Sequence, residues 1–80
     1  EVNYLILRNN EIEIVEEHGL YGIIGLKELG LGENKLKYLN INYLYSLEKI
    51  YLDFNRFESI DDNMFANLTK LTFIYMAFNN

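Results

Sequence analysis

Apolar side chains recur along this chain in a string that ends on an asparagine. The string has the form L-x-x-L-x-L-x-x-N, with Ile, Val or Met replacing Leu at some positions. Its four copies are Val2, Leu5, Leu7 and Asn10; Leu26, Leu29, Leu31 and Asn34; Leu47, Ile50, Leu52 and Asn55; and Leu71, Ile74, Met76 and Asn79. The asparagines are 24, 21 and 24 residues apart. A fixed period of this length indicates a chain built from stacked structural repeats.

The period divides the chain into three units, residues 2–25, 26–46 and 47–70, and a partial fourth unit, residues 71–80. The second halves of the units also match. The shared apolar positions there are Ile12, Val15, Leu20 and Ile23; Leu36, Leu39, Ile41 and Leu44; and Phe57, Ile60, Phe65 and Leu68. The second unit is three residues shorter than the others in this half, which explains its length of 21.

Each L-x-L step predicts one short strand per unit, because successive side chains of a strand point to opposite faces. Repetition of such strands predicts a parallel sheet. A single unit cannot bury its own apolar face, so the repeated Leu and Ile residues should pack against the next unit. Burial of one such side chain stabilises the fold by roughly 1.5–3 kcal/mol.

The four asparagines stand where the chain leaves each strand and turns inward. Backbone groups lose their strand partners at such a point and need others. An asparagine side chain offers one acceptor oxygen and an NH₂ donor group. Asn10, Asn34, Asn55 and Asn79 are therefore predicted to bridge the backbones of neighbouring turns and to have a structural role.

The segments that return from one strand to the next have no strong helical pattern. Asp61, Asp62 and Asn63 precede a short apolar run, which predicts a capped helical turn in the third unit. The first return carries three glycines and is expected to be irregular. The contiguous acidic run lacks the alternating ligands and the glycine of a calcium loop, so no metal site is expected.

The positions between the repeated apolar residues predict the solvent side of the sheet. Across the four strands they form the columns Tyr4, Glu28, Lys49 and Phe73; Ile6, Gly30, Tyr51 and Tyr75; Arg8, Gly32, Asp53 and Ala77; and Asn9, Glu33, Phe54 and Phe78. Five aromatic side chains thereby gather over the third and fourth strands: Tyr51, Phe54, Phe73, Tyr75 and Phe78. Exposed apolar patches of this kind mark interaction sites, and we expect a protein-binding surface rimmed by Lys49, Asp53 and Glu33. The glycines of the second strand suggest a shallow dip.

Composition narrows the possible functions. The 80 residues have a net charge of -5, with 12 acidic against seven basic side chains. This balance argues against contact with nucleic acid or anionic membranes. Cysteine is absent, so neither disulfides nor thiolate metal sites are expected. No apolar run reaches the length of a membrane span, and no cofactor is expected.

Few residues suggest a catalytic or modification site. His18 is the only histidine and is expected to be a solvated loop residue. No nucleophile, base and stabilising group occur in a recognisable arrangement, so the chain is not expected to be an enzyme. Asn67-Leu68-Thr69 is an N-glycosylation acceptor sequence. Because Leu68 belongs to the repeated apolar set, its neighbour Asn67 should face the surface and carry a glycan if the protein is secreted.

The repeated string resembles the leucine-rich repeat family, over essentially the whole chain. Residues 47–70 look like the "typical" 24-residue subtype of extracellular animal proteins, with Phe65 and Leu68 at its last two apolar positions. The resemblance implies an α/β fold, a horseshoe-shaped leucine-rich-repeat solenoid. Its parallel sheet would line the concave face, and its convex segments would be mostly irregular or short helices.

The resemblance further implies a protein-recognition function for the concave face. The subtype, the glycosylation sequence and the Tyr/Asn/Ile bias are similar to insect Toll-type receptors or secreted insect immune proteins, which implies an extracellular location. Both ends of the chain lack caps, so we expect an interior part of a larger ectodomain with possible self-association through its open ends. Two alternatives remain: an intracellular or bacterial-surface scaffold, and repeats that position a substrate for a catalytic domain elsewhere.

Overall fold

A computed structural model describes residues 3–16, 18–61 and 63–79. Val2 and Asp62, which belong to the repeated string and to the expected cap, lie outside the described residues. Four strands form one parallel sheet in the order β1-β2-β3-β4. The strands are β1 (Tyr4–Ile6), β2 (Glu28–Gly30), β3 (Lys49–Tyr51) and β4 (Phe73–Tyr75).

The register of the sheet confirms the two columns that lie within the strands, which begin at Tyr4 and at Ile6. Leu5 pairs with Leu29, Leu29 with Ile50, and Ile50 with Ile74. These side chains point to the core, while their neighbours on either side in each strand point to the opposite face. We call this opposite face the outer face of the sheet.

The core lies in the middle of the stack, where each unit has a neighbour on both sides. The repeated apolar residues of the second unit and the first three of the third unit are fully buried: Leu26, Leu29, Leu31, Leu36, Leu39, Ile41, Leu44, Leu47, Ile50 and Leu52. Those of the first and fourth units that the structure describes are half-buried or exposed. Ile60 is exposed, although its counterpart Leu39 is buried, because the described chain supplies no later return segment to cover it.

Three of the turn asparagines connect neighbouring units through both ends of the side-chain amide. The Oδ1 of Asn55 accepts the backbone N–H of Leu36 at 2.9 Å, and its Nδ2 donates to the carbonyl of Leu31 at 2.9 Å. Asn34 and Asn79 make the corresponding bonds to the units before them. Asn10 is exposed, and within the described residues its side chain donates only to the carbonyl of Arg8.

The sequence predicted a helical turn in the third return segment, but the structure has its helix in the first. The first return, expected to be irregular, holds the 3₁₀ helix Tyr21–Ile23. Its tight turn has three residues, which puts Leu20 and Ile23 on the same side, toward the core. In the third return, the Asp61 carboxylate accepts the backbone N–H of Asn63 at 2.8 Å, as a cap would. Residues 63–67 nevertheless form turns rather than a helix.

Candidate functional site

The outer face carries the five aromatic side chains that the sequence places over the third and fourth strands: Tyr51, Phe54, Phe73, Tyr75 and Phe78. We call this set the aromatic surface. Phe54 is 47% exposed and Phe78 is 67% exposed, and Phe73 and Tyr75 are each about 40% exposed. Tyr51 is half-buried, because the ring of Phe73 packs on it with centroids 5.5 Å apart. Four large rings thus remain open to solvent on one face of a small sheet.

Ring contacts divide the aromatic surface into two groups. Tyr51, Phe73 and Tyr75 form the first, in which Phe73 and Tyr75 stack with centroids 6.4 Å apart. Phe54 and Phe78 form the second, stacked nearly parallel at 4.5 Å with planes 10° apart. Neighbouring rings that support one another lose little side-chain freedom when a partner binds, which favours contact by such a surface.

Phe54 and Phe78 have a backbone conformation that L-residues rarely adopt. Their φ angles are 56° and 62°, in the left-handed region. Each residue immediately precedes a turn asparagine, and Asn9 and Glu33 have the same conformation at the matching positions of the first two units. The conformation keeps the N–H of Phe54 bonded to the carbonyl of Ala77 at 3.0 Å while the chain turns inward. It costs a residue other than glycine about 1–2 kcal/mol, and asparagine tolerates it better than phenylalanine does.

Asp53 does not rim the aromatic surface as the sequence suggested. Its side chain is 3% exposed, because Arg8 reaches across the second strand and covers it. The two Nη atoms of Arg8 donate to the two carboxylate oxygens of Asp53 at 3.3 and 2.7 Å. The Nε of Arg8 also lies 3.5 Å from Glu33. Asp53 is therefore engaged within the protein, whereas Lys49 and Glu33 are exposed beside the rings.

The expected dip over the second strand is filled. A Cβ added to Gly32 would lie 2.7 Å from the Oδ1 of Asp53 and would also collide with the Nη1 of Arg8. Gly30 lies beneath Ile6, whose Cδ1 would be 3.0 Å from such a Cβ. Both glycines are buried. Sequence reasoning missed this arrangement, although the column Arg8, Gly32, Asp53 places opposite charges on either side of a residue without a side chain.

The ion pair shifts the ionisation of both partners. The hydrogen bond from Arg8 holds the pKa of the Asp53 carboxyl below its ordinary value, against the opposing effect of burial. The same hydrogen bond raises the pKa of the Arg8 guanidinium. Asp53 therefore remains ionised at neutral pH, as a buried anchor for the arginine on the outer face.

Acidification should weaken the fold through Asp53. The pKa of its carboxyl is lower in the folded chain than in the unfolded chain, so its contribution to stability is fully present above the unfolded pKa, about 3.9. That contribution is lost as the pH falls through the folded pKa. In denaturation curves, the difference in free energy of unfolding between wild type and Asp53→Asn should shrink below about pH 4.

Glu58→Gln is the control for this prediction, because Glu58 is an exposed carboxylate with no ion pair in the described part of the chain. Its difference from wild type should stay close to zero throughout. An Asp53→Asn difference that does not change with pH would contradict the assignment of a buried, ionised Asp53.

The remaining candidate residues lie away from the outer face. His18 is exposed, and its ring contacts Tyr21 at 4.9 Å and Tyr43 at 5.9 Å. Asn67 is exposed beside the buried Leu68. Within residues 3–16, 18–61 and 63–79, no three His, Asp or Glu side chains converge closely enough to hold a metal ion. The helix Tyr21–Ile23, the only one that the described residues form, is too short to cross a bilayer.

Comparison with known proteins supports the assignment of a repeat. Residues 46–68 match the family model described as Leucine Rich Repeat. This stretch contains β3, Asn55 and the buried Leu68, so the match supports a leucine-rich repeat in the third unit. Together with the four parallel strands, it fits a leucine-rich-repeat-like fold. No curated protein matches the chain significantly. Leucine-rich repeats generally mediate contacts between proteins through extended surfaces.

Proposed function

We propose that this chain is a protein-recognition module that binds a protein partner through the aromatic surface. The observation that carries the proposal is the stacked pair of Phe54 and Phe78. Both rings are exposed, and both backbones are left-handed. The turn has this conformation in every unit, so phenylalanine at two of the four positions adds strain without adding to the core, which favours a role for these rings in binding.

The chemistry of the aromatic surface suits a protein ligand. Phenylalanine and tyrosine rings offer large contact areas with few rotatable bonds, and tyrosine is enriched among the residues that dominate binding energy. Lys49 and Glu33 are exposed near the rings and supply charges of both signs for a polar rim. The proposed role is binding rather than catalysis, because the aromatic surface itself contains no acid–base pair or activated nucleophile.

We extend the proposal to the setting of the protein. The third unit looks like the typical 24-residue extracellular subtype, with Phe65 half-buried and Leu68 buried at its last two apolar positions. Asn67 and Thr69 are exposed, as an N-glycosylation acceptor requires. On this proposal the sheet lines the concave face of a horseshoe-shaped ectodomain that is secreted or membrane-anchored. It resembles insect Toll-type receptors and has a role in innate immunity.

The substitution used to test binding is one that already occurs at the left-handed position of another unit. Asn9 occupies in the first unit the place that Phe54 and Phe78 occupy later. The double variant Phe54→Asn, Phe78→Asn should therefore keep the fold, and should not lower its free energy of unfolding. Each ring at the centre of an interface contributes about 2–4 kcal/mol. The affinity for the partner should thus fall by at least about 30-fold.

Wild type, the double variant and Tyr38→Ala would each be immobilised and used to capture partners from extracellular fluid of the organism that makes the protein. Tyr38 is 60% exposed and lies outside the aromatic surface, so its replacement controls for the loss of an exposed ring. The proposal requires a protein that the wild type and Tyr38→Ala retain and the double variant loses. Its direct affinity for each purified variant is then measured. Equal binding by the folded double variant would refute the proposal.

A further inference from the structure

A pocket lies among the return segments, away from the outer face. Seven side chains from three successive units line a pocket of about 330 Å³: His18, Tyr21, Asn40, Asn42, Tyr43, Tyr45 and Asn67. This volume is at the small end of the range for ligand pockets, roughly 300–1,000 Å³. We call it the amide–aromatic pocket, since it is lined by four rings and three side-chain amides.

The aromatic part of the pocket is fixed by Tyr43. This residue is 8% exposed, and its hydroxyl accepts the backbone N–H of Leu20 at 3.1 Å. The ring of Tyr21 packs against Tyr43 with centroids 5.2 Å apart, and His18 contacts both rings. Tyr45 is 58% exposed at the same pocket. The buried, hydrogen-bonded ring of Tyr43 thus holds the rings of Tyr21 and His18 in place.

The polar part of the pocket consists of amides. Asn40 and Asn42 are half-buried and Asn67 is exposed. The Oδ1 of Asn42 is buried and accepts no hydrogen bond from the described residues. Each amide can both donate and accept. None of the seven side chains is Asp, Glu, Lys or Arg.

A different groove on the protein has charged side chains in its lining, unlike the amide–aromatic pocket. That groove, of about 310 Å³, is lined in part by Glu13, Lys35, Lys37 and Arg56. Charged side chains are therefore available on the same small protein and are placed elsewhere. A ligand of the amide–aromatic pocket should be neutral, rich in hydrogen-bonding groups, and flat enough on one side to lie against a ring.

We infer that the amide–aromatic pocket binds a neutral pyranose sugar. The C–H face of a pyranose is apolar and packs on the electron-rich face of an aromatic ring. Its hydroxyl groups donate and accept hydrogen bonds, which matches the accessible amides of Asn40 and Asn67. The site is separate from the aromatic surface, so this inference stands whether or not that surface binds a protein.

The sugar can come from two sources, because Asn67 both lines the pocket and begins the acceptor sequence Asn67-Leu68-Thr69. A glycan attached to Asn67 would start at the pocket and could fold back onto Tyr21 and Tyr45. A free oligosaccharide would enter the same space in protein that carries no glycan. The experiment therefore needs one arm for each source.

The first arm uses unglycosylated protein, titrated separately with triacetylchitotriose and with maltotriose while tyrosine ring signals are followed by NMR. Signals of Tyr21, Tyr43 and Tyr45 should shift with at least one of the two sugars. Tyr21→Ala and Tyr45→Ala should each weaken binding by about three- to tenfold, as expected for loss of one stacking ring. Tyr38→Ala is the matched control, since it removes an equally exposed ring at the charged groove and should leave binding unchanged.

The second arm uses protein secreted from eukaryotic cells, with any glycan at Asn67 trimmed to its first sugar. Ring protons of that sugar should show contacts to Tyr21 or Tyr45, and Thr69→Ala should remove both the sugar and the contacts. Success of the first arm assigns a free saccharide as a ligand, and success of the second alone assigns the protein's own glycan. The inference is overturned if no sugar shifts the tyrosine signals and no attached sugar contacts the rings. It is also overturned if Tyr38→Ala weakens binding as much as Tyr21→Ala does.

Discussion

Replacing Asn55 with alanine should lower the free energy of unfolding by about 2–4 kcal/mol. The Oδ1 of Asn55 is the acceptor for the buried N–H of Leu36, and no other described residue accepts that N–H. Leaving a buried donor unpaired costs about 1–3 kcal/mol, to which the lost bonds of Nδ2 are added. The three carbonyls that Nδ2 reaches each keep a second partner: that of Leu31 retains Asn34, that of Leu52 retains Asn79, and that of Asp53 retains the backbone N–H of Glu33. The loss of stability therefore comes mainly from the backbone N–H of Leu36, which is left without an acceptor.

Asn10→Ala is the matched control, because Asn10 has the same place in the repeat but is exposed. Its replacement should change the free energy of unfolding by about 0.5 kcal/mol or less, as measured by chemical denaturation. Asn55→Asp adds a second comparison, since the carboxylate can still accept from Leu36 but would face carbonyl oxygens. Equal effects of Asn55→Ala and Asn10→Ala would show that the bridging bonds contribute nothing measurable.

Replacing Leu52 with alanine should lower the free energy of unfolding by about 2–5 kcal/mol. Leu52 is fully buried between the third unit and its neighbours, so the change leaves a cavity in the most tightly packed part of the stack. Tyr75→Ala should cost about 1 kcal/mol or less, because Tyr75 is 41% exposed and its ring packs mainly on Phe73.

The comparison between these two variants tests which face of the sheet holds the fold together. Both replace a large side chain near the third and fourth strands, and both can be measured by thermal and chemical denaturation. If Tyr75→Ala unfolds the protein as readily as Leu52→Ala does, the aromatic surface is part of the core. Its rings would then be unavailable to a partner.

The sheet and its core could be predicted because they depend on a period that repeats four times. One copy of Leu-x-Leu would be ambiguous, but four copies at matched spacing determine which residues pair. Leu29 and Ile50 pair as their positions in the repeat require. The inward direction of the same side chains follows from strand alternation alone. The position of each aromatic ring on the outer face follows from the same register.

Features that depend on side-chain reach or on backbone angles could not be read from the period. The Arg8 side chain is long enough to cross an entire strand. The sequence pattern does not show whether it packs over Gly32 or extends into solvent. The left-handed backbone of Phe54 was hidden by its residue type, since phenylalanine is a poor indicator of that conformation. Glycines in the first return suggested irregular structure, but Leu20 and Ile23 have the spacing that a 3₁₀ turn brings to one side.

The Arg8–Asp53 pair also changes how the ends of the stack should open. In repeat proteins each unit usually contacts only its immediate neighbours, so a terminal unit can unfold while the rest remains folded. Here the first unit holds the third directly, across the second. Detachment of β1 would remove the guanidinium that covers Asp53 and break both of its hydrogen bonds to that carboxylate, two units away. Opening of the first unit therefore costs the third unit an ion pair, and we expect hydrogen exchange in β1 and β3 to be more closely linked than contacts between adjacent units alone would make it.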